Sequence, residues 1–122
     1  MNTFSWLLIG HLVGDWLLQN DWMAANKQRQ LVTKAGMAHF AIYTASLVAA
    51  MYIATLDNGQ SSIEQYLLFA LVIFVSHWLI DATALAKRWA RLTAQSDLQM
   101  VHIVVDQTFH LLVIAALIRW TL

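Results

Sequence analysis

Four long apolar segments, at residues 3–19, 36–56, 64–86 and 98–121, constrain this 122-residue chain more than any other feature. A helix needs about 20 apolar residues, within a range of about 17–25, to cross the hydrocarbon of a bilayer. The first segment is at the short end and the other three fit. Between them lie polar stretches: QNDWMAANKQRQLVTK (19–34), LDNGQSS (56–62) and AKRWARLTAQSD (86–97). The pattern predicts an all-α fold, a four-helix transmembrane bundle forming one integral membrane domain over residues 1–122. Ser62 and Asp97 stand where side-chain caps for the third and fourth helices are expected.

Composition agrees. Hydrophobic residues make up 60% of the chain and charged residues 11%, against about 25% charged in a soluble domain. There is no cysteine, which excludes a disulfide scaffold and a thiolate metal site. Net charge is zero, so no basic face is available for nucleic acid. The N-terminus has neither a positive region nor a small-x-small cleavage site, and residues 1–20 are read as part of the mature chain.

Loop charge predicts the topology. Lys27, Arg29 and Lys34 lie in the first connection and Lys87, Arg88 and Arg91 in the third, whereas the second holds no cation. The positive-inside rule puts the first and third connections in the cytoplasm and both termini outside. Arg119 is a lone exception. Trp6, Trp22, Trp89 and Trp120 fall near segment ends, as an aromatic belt requires. The expected location is the bacterial cytoplasmic (inner) membrane, multi-pass. The first connection is either an ordinary polar loop or holds a short interfacial helix, which would lay Trp22, Met23 and Leu31 on lipid and turn Lys27 and Arg29 to water.

The apolar segments are interrupted by acids and histidines. The first carries His11 and Asp15, the second His39, the third His77 and Asp81, the fourth His102, Asp106 and His110. Neighbours within a segment are four residues apart, which stacks them on one helix face. With the topology above, all eight fall at overlapping depths, seven in the inner half of the bilayer and His110 near its middle. An acid at a helix centre disfavours insertion by about 2.5–3.5 kcal/mol, so three of them need partners. Gly10 and Gly14 form a G-x-x-x-G pair that permits close helix approach, and Ala35, Ala38, Ala41, Ala45 and Ala49 give the second helix a small-residue flank. A lone His, or a single His–Asp pair, is often a packing device; three pairs at matched depth favour a shared site.

Imidazole and carboxylate together suit a divalent metal, zinc first and iron or manganese next. His11, Asp15, His39, His77, Asp81, Asp106 and His110 are the candidate ligands. They exceed one tetrahedral shell. Either two metals bind, or some of these residues orient the ligand histidines. Gln19 and Gln107 could support the ligands, although a simple interface role is the more ordinary reading for both. His102, the member nearest water, either supports the site or snorkels outward. Tyr43 and Ser46 are candidate polar neighbours of His39.

The run GHLVGDWLLQNDWMAANK, the later SHWLID and the final DQTFH resemble the signature of the DUF3307 family of small bacterial membrane proteins, over nearly the whole chain. The resemblance implies a multi-span membrane protein. It singles out His11, Asp15, Gln19, His77, Asp81, Asp106 and His110, and supplies no reaction. One departure is in the third segment, where a lysine is expected about a turn after the acid and Ala84 stands ahead of Lys87.

The leading functional expectation is a metal-dependent membrane hydrolase acting on a lipid-like or amphipathic substrate. Asp15, Asp81 and Asp106 would be ligands or the base for a metal-bound water. The alternatives are a metal-ion or proton transporter working as a homo-oligomer, and a non-catalytic membrane subunit with a structural polar network.

Overall fold

A computed structural model describes residues 1–28, 30–56, 59 and 61–121, and these are all-helical. Arg29 and the Asp57–Asn58 part of the predicted turn lie outside the described residues. Six helices follow in order: α1 (Thr3–Leu12), α2 (Asp21–Asn26), α3 (Lys34–Thr55), α4 (Ile63–Ala82), α5 (Leu85–Leu92) and α6 (Gln99–Thr121). Between α1 and α2, residues Val13–Leu17 continue α1 as one wide π-helical turn.

Helices α3, α4 and α6 are long and apolar enough to cross a membrane. Most of their surface faces outward; only 17% of the most apolar window of α6 is buried within the protein. Leu67, Leu71, Leu112 and Trp120 are all more than half exposed. In water such a surface would drive association, whereas in lipid it costs nothing.

The first apolar segment differs from its expected form. Helix and wide turn together cover Thr3–Leu17, about 22 Å at 1.5 Å per residue against about 30 Å of hydrocarbon. The amide of Leu18 bonds the carbonyl of Val13 at 2.9 Å, closing the π turn, and Gln19 and Asn20 end the apolar run. Asn20 then caps α2 by accepting the amide of Met23. The third segment also ends early. Thr83 closes α4, and Ala84 adopts a left-handed conformation with φ 50°. The chain then turns into α5, an amphipathic helix within the stretch expected to be a polar connection.

Ser62 caps α4 as its sequence predicts, in a reciprocal box with Gln65. Asp97 reaches instead to His102, at 3.3 Å.

α1 packs against α3 and α6, and α4 packs against α3 and α6, so the four helices enclose a common centre. Gly10 and Gly14 account for the α1–α3 approach. A Cβ on Gly10 would lie 2.7 Å from Cβ of Ala50, and one on Gly14 would lie 2.9 Å from Cα of Tyr43. The receiving face of α3 is thus Tyr43, Ser46 and Ala50. Of the expected small-residue flank, Ala41, Ala45 and Ala49 face outward. One end of the centre is filled by Leu7, Leu47, Met51, Phe69, Ile73, Ile114 and Leu117. The polar residues occupy the other end.

Candidate metal centre

α1 with its wide turn, α3, α4 and α6 bring polar side chains to one buried centre. His11, Asp15, His39, His77, Asp81 and His110 are all at most 4% exposed. At the middle lie four donor atoms from three segments, two of them on α4. Nε2 of His39 and Nε2 of His77 are 2.8 Å apart. Oδ1 of Asp15 is 3.3 Å from the first and 3.8 Å from the second. Oδ2 of Asp81 is 3.4 Å and 3.5 Å from the same two nitrogens. Asp15 Oδ1 and His39 Nδ1 have no hydrogen-bond partner among the described residues. Burying such atoms unpaired is costly.

Hydrogen bonds fix the tautomers around this nest. A carbonyl only accepts, so Nδ1–H of His110 donates to the Asp106 carbonyl at 2.7 Å. Nε2 of His110 is then an acceptor and takes the Nδ1–H of His77 at 2.6 Å. Nε2 of His77 is left without a proton, its lone pair in the nest facing Nε2 of His39. The His77 ring is held from the side by Tyr43, stacked at 3.8 Å and 12°. This is the arrangement in which an outer hydrogen bond orients a metal-ligating imidazole.

A second chain holds Asp15. The indole N–H of Trp16 can only donate and the Asp15 carboxylate can only accept, which orients the Gln107 amide between them. Its Nε2 donates to Asp15 Oδ2 at 2.8 Å, and its Oε1 accepts from Trp16 at 3.3 Å and from His11 Nε2 at 2.6 Å. Nδ1 of His11 then accepts the Tyr43 hydroxyl at 2.8 Å. Both His11 nitrogens are engaged.

Lys27 is the residue sequence reasoning missed. Expected in water, its side chain is only 14% exposed, with Nζ 2.7 Å from Asp81 Oδ2 and donating to Gln19 Oε1 at 2.9 Å. Burial disfavours its ammonium, but the Asp81 carboxylate more than offsets this and raises the Lys27 pKa above its ordinary value. The cation on the third-segment acid therefore comes from the first connection, while Lys87 is exposed on α5. Nothing local to Lys27 signals this; the contact spans 54 positions of sequence. Of the loop and the short helix expected in the first connection, the structure has a short helix; Met23 is buried against the protein instead of facing lipid, and Leu31 lies beyond the helix, which packs on α3.

Among the described residues, two groups of side chains have ligand atoms mutually within 4.8 Å: Asp15, His39, His77 and Asp81, and Asp15, Asp106 and His110. Tyr43, expected as a polar neighbour of His39, and Gln107, read more readily as an interface residue, link these groups to His11. His102 is in neither group and faces Asp97.

Fold and site together define an all-helical protein of membrane-spanning character, built around a buried His/Asp cluster that can hold a metal ion. A family model described as DUF3307, protein of unknown function, matches residues 3–122, and the chain belongs to that family. Neither a curated protein nor a solved structure matches it.

Proposed function

We propose that this is a multi-pass protein of the bacterial cytoplasmic membrane, and that it uses an intramembrane zinc site to hydrolyse a lipid-like or amphipathic substrate. One observation carries the reading. At zinc bond lengths of about 2.0–2.1 Å, the edge of a ligand tetrahedron is about 3.3 Å. The five measured edges of the Asp15–His39–His77–Asp81 nest run from 2.8 to 3.8 Å.

In this reading His39, His77 and Asp15 are ligands. Asp81, shared with Lys27, closes the tetrahedron or serves as base to a metal-bound water, a position a catalytic zinc leaves open. His110 commits its lone pair to His77, which favours an orienting role for it and for Asp106 over a second ion. His11 steadies Asp15 through Gln107. Lys27, Gln19 and α2 would cover the cytoplasmic side, with both termini outside. The 15-residue first helix would cross by locally thinning the bilayer. The apolar plug beyond the cluster disfavours a continuous path for ions, and so the transport reading.

Elemental analysis of the purified protein in detergent tests the metal. Near-stoichiometric zinc is expected, lost in His39→Ala and His77→Ala. Substoichiometric metal that zinc incubation does not restore would overturn the site; iron or manganese would correct its identity. Catalysis is tested with micellar p-nitrophenyl esters and phosphates. Asp81→Asn is expected to keep metal and lose about 10²–10⁴ in rate. A zinc-loaded wild type inert on both substrate classes would remove the hydrolase half.

A further inference from the structure

The outer seam between α4 and α6 holds three cavities that share walls. The first, about 380 Å³, runs from Trp120 past Leu68 to Ser76 and Ala116. The second, about 410 Å³, takes over Ser76 and Ala116 and reaches Leu85 and Phe109. The third, about 240 Å³, shares Phe109 and ends at Trp89. Along α6 the groove runs from Val105 to Trp120, about 22 Å at 1.5 Å per residue. Its two hydroxyl groups are already spent: Ser76 donates to the Ile73 carbonyl and Thr108 to that of Val104. Such a groove offers an occupant apolar contact only.

One end is different. α5 is anchored to the bundle by buried Ala86 and Ala90, and the edge of Trp89 meets Phe109 at 5.8 Å. Leu85, Trp89 and Leu92 share one face of this helix. Lys87, Arg88 and Arg91 are exposed beside and behind that face, with no ion pair among the described residues. Tryptophans mark both ends of the groove, as at the two interfaces of a membrane segment.

We propose that this seam binds an anionic phospholipid, one acyl chain lying in the groove and the phosphate facing the cations of α5. Charge complementarity selects the occupant. A passing annular lipid would fill the groove whatever its headgroup, while a free phosphate has no use for 22 Å of apolar wall. None of the clustered His and Asp residues lines the seam, so the inference stands apart from the metal reading.

Native mass spectrometry of the full chain, in an equimolar mixture of phosphatidylglycerol, phosphatidylethanolamine and phosphatidylcholine with matched chains, tests it. Phosphatidylglycerol is expected to be retained preferentially. Each of Lys87→Gln, Arg88→Gln and Arg91→Gln should lower that preference, by up to about fivefold. Ala116→Phe, which fills the groove, should reduce all lipid adducts. Leu112→Asn, at a position 60% exposed, makes the same test should the first variant fail to fold. Equal retention of the three headgroups would overturn the proposal. So would a preference that survives both groove variants, or one abolished by soluble glycerol phosphate.

Discussion

Gly14 shows how tightly a single atom governs the site. It precedes Asp15, and a Cβ there would meet the backbone of Tyr43, the residue whose ring stacks on His77. Overpacking of this kind costs about 1–3 kcal/mol. Gly14→Ala is therefore expected to lower the unfolding midpoint in detergent and to weaken zinc retention together. Gly10→Ala, whose Cβ would press on Ala50, should lower the midpoint with a smaller effect on metal. Lys27 supports a second prediction. Removing one partner of a buried ion pair costs about 3–5 kcal/mol, so Lys27→Met should destabilise the metal-free protein strongly. Because the Lys27 pKa is raised in the fold, its stabilisation is complete below the ordinary lysine value of about 10.4 and is lost as pH rises through the higher folded value. Stability should thus carry a strongly alkaline loss that Lys27→Met lacks, measured by unfolding across pH. Sequence reasoning found the histidines and acids because burying them in lipid is expensive anywhere in a span. It missed Lys27 because a lysine in a polar loop is ordinary until the loop folds back.

At the scale of elements, apolar length located α3, α4 and α6, but the ends obeyed local chemistry. α4 stops at Thr83 because Ala84 turns left-handed, which costs a residue with a Cβ about 1–2 kcal/mol. Ala84→Gly is expected to raise stability by about 1 kcal/mol, read as a higher unfolding midpoint. α5 was hidden in the sequence by its three cations, which read as a loop; its Leu85 and Trp89 make sense only against the groove they line. The wide turn at Val13–Leu17 was hidden too. It keeps Asp15 inward while Trp16 and Leu17 face out, 53% and 75% exposed, and such turns recur at functional sites.

At the scale of the whole molecule, the path of the first helix through the bilayer is testable by labelling. The chain has no cysteine, so single cysteines report topology cleanly. With four crossings, cysteines placed at Asn2 and Gly59 should label from outside, and those at Gln30 and Gln95 only after permeabilisation. Labelling of Asn2→Cys from the inside, with Gly59→Cys still outside, would mean three crossings and a first helix folded back. The sequence by itself determined that this chain buries acids and histidines among apolar helices, because helical spacing and the cost of charge in lipid are local properties. Tertiary structure alone decided which nitrogens stay bare, which are spent on orienting neighbours, and that a distant lysine neutralises Asp81. Those outcomes depend on how side chains from separate helices meet, and no spacing along one helix encodes that.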